Sequence, residues 1–229
     1  SEIGVNDDVV LASGKSVSSP SISTDTISEK TSGAGVTVDG VLIKDNAIAS
    51  SYISGLTDNN NLVLLNTTTI SDDATVAIDN FVDPNTYVYY KVIAENIKPA
   101  TDGQQFRYYF RTGGASGSDI TANYSFSGTH TSGFESSLSY GTGYGYPFSG
   151  VSNASGEELN FIGEFFPNNG SSGDAWFKTD GMYKNDSGNA NRRTYIWTHG
   201  GTTQVTGLKF FMGNGNLTSG KFYIFGVKK

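Results

Sequence analysis

Short apolar runs separated by turn-forming residues constrain this 229-residue chain more than any other feature of its sequence. The clearest example lies in residues 25–45, where Asp39-Gly40 separates two runs, 36–38 and 41–43, that are rich in β-branched residues. Asp-Gly between such runs favours a two-residue β-hairpin, because both turn residues must tolerate a positive φ. A lone two-stranded ribbon is only marginally stable in water. We therefore expect this ribbon to need a partner surface, from its own chain or from another copy.

Similar runs continue through the rest of the chain. Residues 87–97 alternate with apolar side chains on both faces, which indicates a strand covered on each side or one with a face at a subunit contact. Short strands with Gly, Asn and Ser turns indicate a sandwich or jelly roll, whereas an α/β fold would need helical stretches between strands. The other predicted strands are 62–70, 74–81, 104–111, 121–127, 159–166, 175–179, 194–198, 205–212 and 221–227.

Composition and charge support an all-β protein and exclude several classes of partner. The chain has 29 Gly, 13 Tyr and 14 Phe, which suits a β fold with frequent turns. Residues 1–83 carry 12 acidic and 3 basic side chains, and the remainder carries 10 acidic and 12 basic. This balance argues against a nucleic-acid-binding protein, which needs a basic stripe. We see no membrane-length apolar run and no signal peptide.

The first 24 residues are rich in Ser, and their apolar cluster consists of Val9, Val10 and Leu11 with the adjoining Ala12. We interpret residues 1–24 as an extended arm that docks by strand addition or lies along a partner. A frayed terminus is the alternative.

Three stretches of the chain resemble bacteriophage virion proteins. The run ISEKTSGAGVTVDGVLIK at 27–44 is similar to an element that joins an anchoring N-terminus to a β-structured distal domain in tail fibres, head fibres and related surface proteins. Residues 205–227 resemble the closing strands of such distal domains. Residues 87–111, with Ala100-Thr101-Asp102-Gly103 at the turn, also fit that pattern.

The resemblance implies a virion protein, made in the bacterial host cytoplasm, that acts as a fibre, spike or capsid decoration component. We expect an anchoring arm at 1–24, a β-rich neck for oligomerisation at 25–80, and a jelly-roll-like β-sandwich at 81–229. A homotrimer follows from the resemblance and from the ribbon's need for a partner, and the arm would bind other virion proteins. The predicted oligomerisation and anchoring residues are Val9, Val10, Leu11, Val36, Val38, Val41, Leu42 and Ile43.

Residues of the types used in catalysis form no recognisable motif, so we predict that the chain is not an enzyme. His130 and His199 are its only histidines, and the Gly-x-Ser-x-Gly elbow of many hydrolases is absent from the sequence. Glu157, Glu158 and Glu164 are the candidates for a glycosidase-type carboxylate pair, but sequence does not fix their separation. The absence of cysteine removes disulfides and Cys-based zinc sites, and we predict no metal and no cofactor.

A tyrosine-rich stretch at 140–148 is the most suggestive candidate for ligand binding. Tyr140, Tyr144 and Tyr146 alternate with glycines, a pattern typical of loops that bind proteins or sugars. Trp176 and Trp197 are predicted to add stacking surface for a host surface glycan. The alternative is that these aromatic rings pack against the sandwich edge or another subunit.

Overall fold

The computed structural model describes residues 36–38, 41–44, 47–48, 61–130, 133–168 and 173–229. The chain divides into two compact units, 1–59 and 60–229. Antiparallel strands dominate the described residues, which contain no α-helix and only a short 3-10 helix at Gly114–Ser116. The all-β prediction is therefore confirmed, while the jelly-roll arrangement stays a prediction.

The described part of the first unit is a three-stranded antiparallel sheet of β1 (Val36–Val38), β2 (Val41–Lys44) and β3 (Ala47–Ile48). Val38 pairs with Val41, which is the register that a two-residue connection requires, so the predicted hairpin pairing is confirmed. The residues Val9, Val10 and Leu11 lie outside the described residues. The side chains of Val36, Val38, Val41, Leu42 and Ile43 are not described either, so their role in oligomerisation stays a prediction.

The second unit contains an eight-stranded and a five-stranded antiparallel sheet. The larger sheet has the order β10-β9-β14-β13-β12-β6-β16-β4, and the smaller has β11-β7-β15-β5 with β8 beside β7. The strands are β4 (Leu62–Asp73), β5 (Val76–Ile78), β6 (Tyr87–Pro99), β7 (Gln104–Thr112), β8 (Ser118–Asp119), β9 (Tyr124–His130), β10 (Gly133–Thr142), β11 (Gly145–Val151), β12 (Leu159–Phe166), β13 (Ala175–Lys184), β14 (Ala190–His199), β15 (Gly207–Met212) and β16 (Leu217–Lys228).

The second unit begins about twenty residues before the boundary at 81 that the sequence suggested. β4 pairs with β16 in the larger sheet, and β5 pairs with β15 in the smaller one. Their inward residues Ile70, Val76 and Ile78 are buried in the core of the sandwich. These two strands therefore belong to the sandwich rather than to a neck.

Aromatic side chains fill the space between the two sheets. Phe210 of β15 stacks on Phe222 of β16 with ring centroids 4.4 Å apart, and Tyr108 of β7 meets Phe177 of β13 edge-on at 5.0 Å. All four side chains are fully buried. Ring pairs of this kind add about 0.5–1.5 kcal/mol each beyond the burial of their area. The sheets are thus joined by contacts between rings from opposite sides.

Glycines on the strands make room for several of these rings. A Cβ atom on Gly163 of β12 would lie 2.4 Å from Cε2 of Phe177, and one on Gly145 of β11 would lie 2.1 Å from Cε1 of Tyr108. Both distances are far below ordinary van der Waals contact. The abundance of glycine in this chain is therefore partly a packing requirement, and not only a source of turns.

Candidate functional site

The outer face of the five-stranded sheet carries aromatic and cationic side chains next to one another. Alternation along β7 buries Phe106, Tyr108 and Phe110 and turns Arg107 and Tyr109 outward. β15 pairs with β7 so that Lys209 lies opposite Tyr109 and Phe211 lies opposite Arg107. Opposed residues on neighbouring antiparallel strands share a face, so these four outward side chains form one surface group.

Three rings form the centre of this group, which we call the aromatic platform: Tyr109, Tyr144 and Phe211. Tyr109 stacks on Phe211 with centroids 4.8 Å apart and planes inclined by 14°. Tyr144, from the connection between β10 and β11, meets both rings edge-on, at 6.4 Å from Tyr109 and 6.1 Å from Phe211. All three side chains are half-buried, so part of each ring faces solvent. The mutual contacts fix the rings in place before any ligand arrives.

Two cations border the aromatic platform. The Arg107 guanidinium lies 4.4 Å from the Tyr144 ring centroid, and the Lys209 ammonium lies 4.9 Å from that of Tyr109. Nε and Nη2 of Arg107 donate to Oε1 of Gln105 at 3.0 and 2.7 Å. Burial raises the pKa of the Tyr109 hydroxyl, and the carboxylate of Asp119 adds to the effect.

The two cations differ in how far their charge is neutralised. Lys209 forms an ion pair with Asp119, which also pairs with Arg111, and Arg111 in turn donates to Asp79 at 2.6 Å. The hydrogen bonds described for Arg107 go instead to the neutral amide of Gln105. A preformed aromatic surface beside a cation that has no carboxylate partner among the described residues can stack on the apolar face of a ligand and donate to its oxygens.

The structure brings some of the predicted tyrosines and tryptophans together, since the rings of Tyr144 and Tyr146 meet edge-on at 6.3 Å, but it gives them different surroundings. Tyr144 lies on the aromatic platform, whereas Tyr146 turns toward the core and contacts Trp197 at 5.0 Å. Trp197 is fully buried, so the expectation that its ring offers stacking surface is wrong. Trp176 is 46% exposed but lies on β13, in the other sheet. Tyr140 lies on β10, and its side chain is not described.

The glycines of the tyrosine-rich stretch suggested a loop, but most of this stretch lies in two strands. Residues 133–142 and 145–151 form β10 and β11, and β11 is the edge strand of the smaller sheet. An edge position tolerates Pro147, which cannot donate a ladder hydrogen bond. The sequence prediction also missed Arg107, Tyr109 and Phe211 as site residues. Two of them lie in the predicted strand at 104–111, two residues apart and so on one face, but strand pairing was needed to bring Phe211 beside them.

The residues weighed for catalysis are engaged elsewhere. Glu164 forms an ion pair with Lys178 at 3.1 Å, and Glu158 accepts a hydrogen bond from the backbone of Gly156 at 3.1 Å. His199 is buried, with Nδ1 3.1 Å from the carbonyl oxygen of Ala122. Within the described ranges, no group of three or more His, Asp or Glu side chains is arranged to hold a metal ion.

Comparisons with known proteins leave this chain without an assigned relative. No family model and no curated protein matches it. Over the part of the chain that the structure describes, no helix is long and apolar enough to cross a membrane.

Proposed function

We propose that the chain is a non-enzymatic structural protein of a bacteriophage particle: a fibre, spike or capsid decoration component. In this proposal the N-terminal region attaches the protein to the particle, and the sandwich is displayed outward. The observation that supports the proposal most directly is the division into a small N-terminal unit and a large sandwich of residues 60–229. An attachment segment followed by a displayed domain requires such an organisation, and the resemblance of residues 27–44 to a virion joining element points the same way.

Particle composition tests this function. Purified particles of the phage that encodes the chain are expected to contain it, as measured by mass spectrometry and by immunogold labelling with an antibody against the sandwich. A deletion of residues 1–24 should remove the protein from the particles while it remains detectable in the infected cell. Particles that contain none of the full-length protein would refute the proposal.

A second candidate function, recognition of a host surface glycan, is favoured by the aromatic platform. Aromatic rings with an adjacent arginine are suited to stacking on a sugar ring and hydrogen bonding to its hydroxyl or carboxylate oxygens. The purified chain should then compete with the phage for host cells, and Arg107→Ala or Tyr144→Ala should weaken that competition at least tenfold. Lys178→Ala is the matched control, because it removes an exposed cation from the other sheet. Equal competition by all of these proteins would rule out the platform as the receptor site.

A further inference from the structure

A continuous line of apolar side chains crosses the outer face of the eight-stranded sheet. We call it the apolar row, and it consists of Trp176, Phe166, Tyr89, Val227 and Leu62, one from each of five neighbouring strands. The strand register pairs Phe166 with Trp176, and it pairs Val227 with both Tyr89 and Leu62. Phe166 stacks on Tyr89 at 5.0 Å, which closes the remaining step between β12 and β6. At about 4.8 Å per strand, the row is roughly 19 Å long.

Much of this face is open to solvent. Phe166, Leu62 and Trp176 are 40%, 44% and 46% exposed, and four further side chains on the same face are between 37% and 65% exposed: Ile162, Leu64, Met182 and Ile196. Leu64 and Ile196 adjoin the apolar row, whereas Ile162 and Met182 lie beyond the outward charges of Lys178, Glu164 and Lys91. Together the seven side chains expose on the order of 700 Å² in two regions, against roughly 300–600 Å² for the largest single patch on a typical monomer. The outward face of a sandwich strand is normally polar. Apolar residues at the outward position of five successive strands therefore indicate a buried contact.

Four charged groups on this face form two ion pairs. Lys178 contacts Glu164 at 3.1 Å and Arg192 contacts Asp180 at 2.7 Å. The hydrogen bond from Arg192 holds the pKa of the Asp180 carboxyl below its usual value, so the pair remains ionised at neutral pH. The pair of Lys178 and Glu164 lies between the apolar row and the apolar residues Ile162 and Met182, so the face presents two apolar regions separated by paired charges. A polyanion or an anionic membrane would need an excess of positive charge, which these pairs do not supply.

We propose that the apolar row is the contact surface for a second copy of this chain, whose own apolar row it covers. A standard interface buries about 800 Å² on each partner, and a contact that covers the whole outer face would bury all seven exposed apolar side chains, whose area of roughly 700 Å² comes close to that requirement. The charge balance within each face allows two identical faces to meet without like-charge repulsion. This inference goes beyond the proposed function, since it applies whether or not the chain belongs to a virion.

The two tryptophans supply a built-in probe of this contact. Trp197 is fully buried within the sandwich, whereas Trp176 is 46% exposed on the apolar row. Iodide quenching of tryptophan fluorescence in the full-length protein therefore reports on Trp176. We expect the quenchable fraction to fall as the protein concentration is raised and copies associate, with the oligomeric state followed in parallel by analytical ultracentrifugation.

A charge placed on the row should reverse this protection. Phe166→Glu is expected to weaken association at least tenfold and to leave Trp176 open to iodide at all concentrations. Val88→Glu is the matched control: Val88 is 55% exposed and neighbours Tyr89 in sequence, but it points to the opposite side of the sheet. This control should associate like the unmodified protein.

Three outcomes would overturn the inference. Trp176 that stays fully quenchable in the associated protein would show that copies meet elsewhere. Protection that persists in a demonstrated monomer would show that the row is covered within its own chain. Protection that requires an added host or particle component would assign the row to a different partner. None of these results bears on whether particles contain the protein, so the failure of this inference is distinct from failure of the proposed function.

Discussion

Replacing Gly163 by alanine tests whether glycines are required for ring packing in the core. Gly163 has no positive φ, so its backbone accepts alanine, and glycine inside a strand is normally about 0.5–1 kcal/mol worse than alanine. In this structure the added Cβ would lie 2.4 Å from Cε2 and 2.8 Å from Cζ of Phe177. The two effects oppose each other, and their sizes decide the sign of the change in stability.

Phe177 has little freedom to move away from the added methyl group. It is fully buried, and its ring contacts Tyr108 at 5.0 Å and Phe165 at 6.4 Å. Forcing extra volume into a packed core costs about 1–3 kcal/mol. Subtracting the alanine gain leaves about 0–2.5 kcal/mol, and because Phe177 has so little freedom to move we expect Gly163→Ala to lower the free energy of unfolding by roughly 1–2 kcal/mol.

The assay is guanidinium unfolding followed by tryptophan emission, in the native background and in Phe177→Ala. Phe177→Ala alone should cost about 3–5 kcal/mol, and adding Gly163→Ala to it should cost nothing or restore some stability, because the clash is gone. Gly200→Ala is the control: its Cβ would lie 3.5 Å from Oδ1 of Asp174, an ordinary contact. If Gly163→Ala is as stable as the unmodified protein, or costs the same in both backgrounds, the packing explanation is wrong.

Further predictions concern the buried tyrosines and the ion-pair cluster. Burial raises the pKa of the Tyr108 and Tyr124 hydroxyls in the folded state. Below pH ~10 these tyrosines are protonated in both the folded and the unfolded state, so they should not change the free energy of unfolding. Above that pH the unfolded state loses protons that the folded state keeps, and the free energy of unfolding should fall by up to about 1.4 kcal/mol per pH unit for each of the two tyrosines. Denaturant midpoints between pH 8 and 11 that do not decline would contradict this. Tyr124→Phe should destabilise the protein by about 1 kcal/mol, because its hydroxyl accepts from the backbone N–H of Phe110 at 2.7 Å and donates to a carbonyl oxygen at 3.0 Å. Tyr108→Phe should be neutral or stabilising, since its buried hydroxyl has no hydrogen-bond partner among the described residues; thermal melts distinguish the two. Arg111→Met should lower the free energy of unfolding by about 2–3 kcal/mol, because it leaves the carboxylates of Asp79 and Asp119 without the guanidinium that they share. Chemical unfolding measures this loss, and a value below about 0.5 kcal/mol would show that the ion pairs of Arg111 do not stabilise the fold.

Local patterns in the sequence predicted many of the strands but missed others, including β10 and β11. Asp39-Gly40 predicted the hairpin register, and β12 begins and ends at the bounds predicted from the sequence. Residues 213–216 connect the last two strands, but β15 and β16 lie in different sheets rather than forming a hairpin. Turn residues report where the chain changes direction. They do not report which sheet the next strand joins, because that depends on pairings distant in sequence.

The candidate site was predictable only in part, for the same reason. Tyr144 was predicted as a binding residue from its local pattern. Arg107 and Phe211 lie beside it only because β7 pairs with both β11 and β15, which the sequence does not reveal. The two tryptophans show the limit most clearly. Both lie on strands of the larger sheet, and one is buried while the other is exposed, because Trp197 points toward the smaller sheet and Trp176 points away from it. Residue type alone gives the same expectation for both.

The final residues of β12 show why apolar residues on both faces of a strand carry information about partners. Phe165 and Phe166 are adjacent and identical in type, yet Phe165 is fully buried and Phe166 is 40% exposed, stacked on Tyr89. A two-sheet sandwich covers one face of each strand and leaves the other to solvent. Exposing Phe166 and Trp176 forgoes about 1–2 kcal/mol of burial for each side chain. A chain whose outward positions stay apolar across five strands recovers that free energy only through a contact that the sandwich itself does not make. The two-sided alternation first noted at residues 87–97 therefore supports the proposed association, and Trp176 is the residue at which that proposal can be tested.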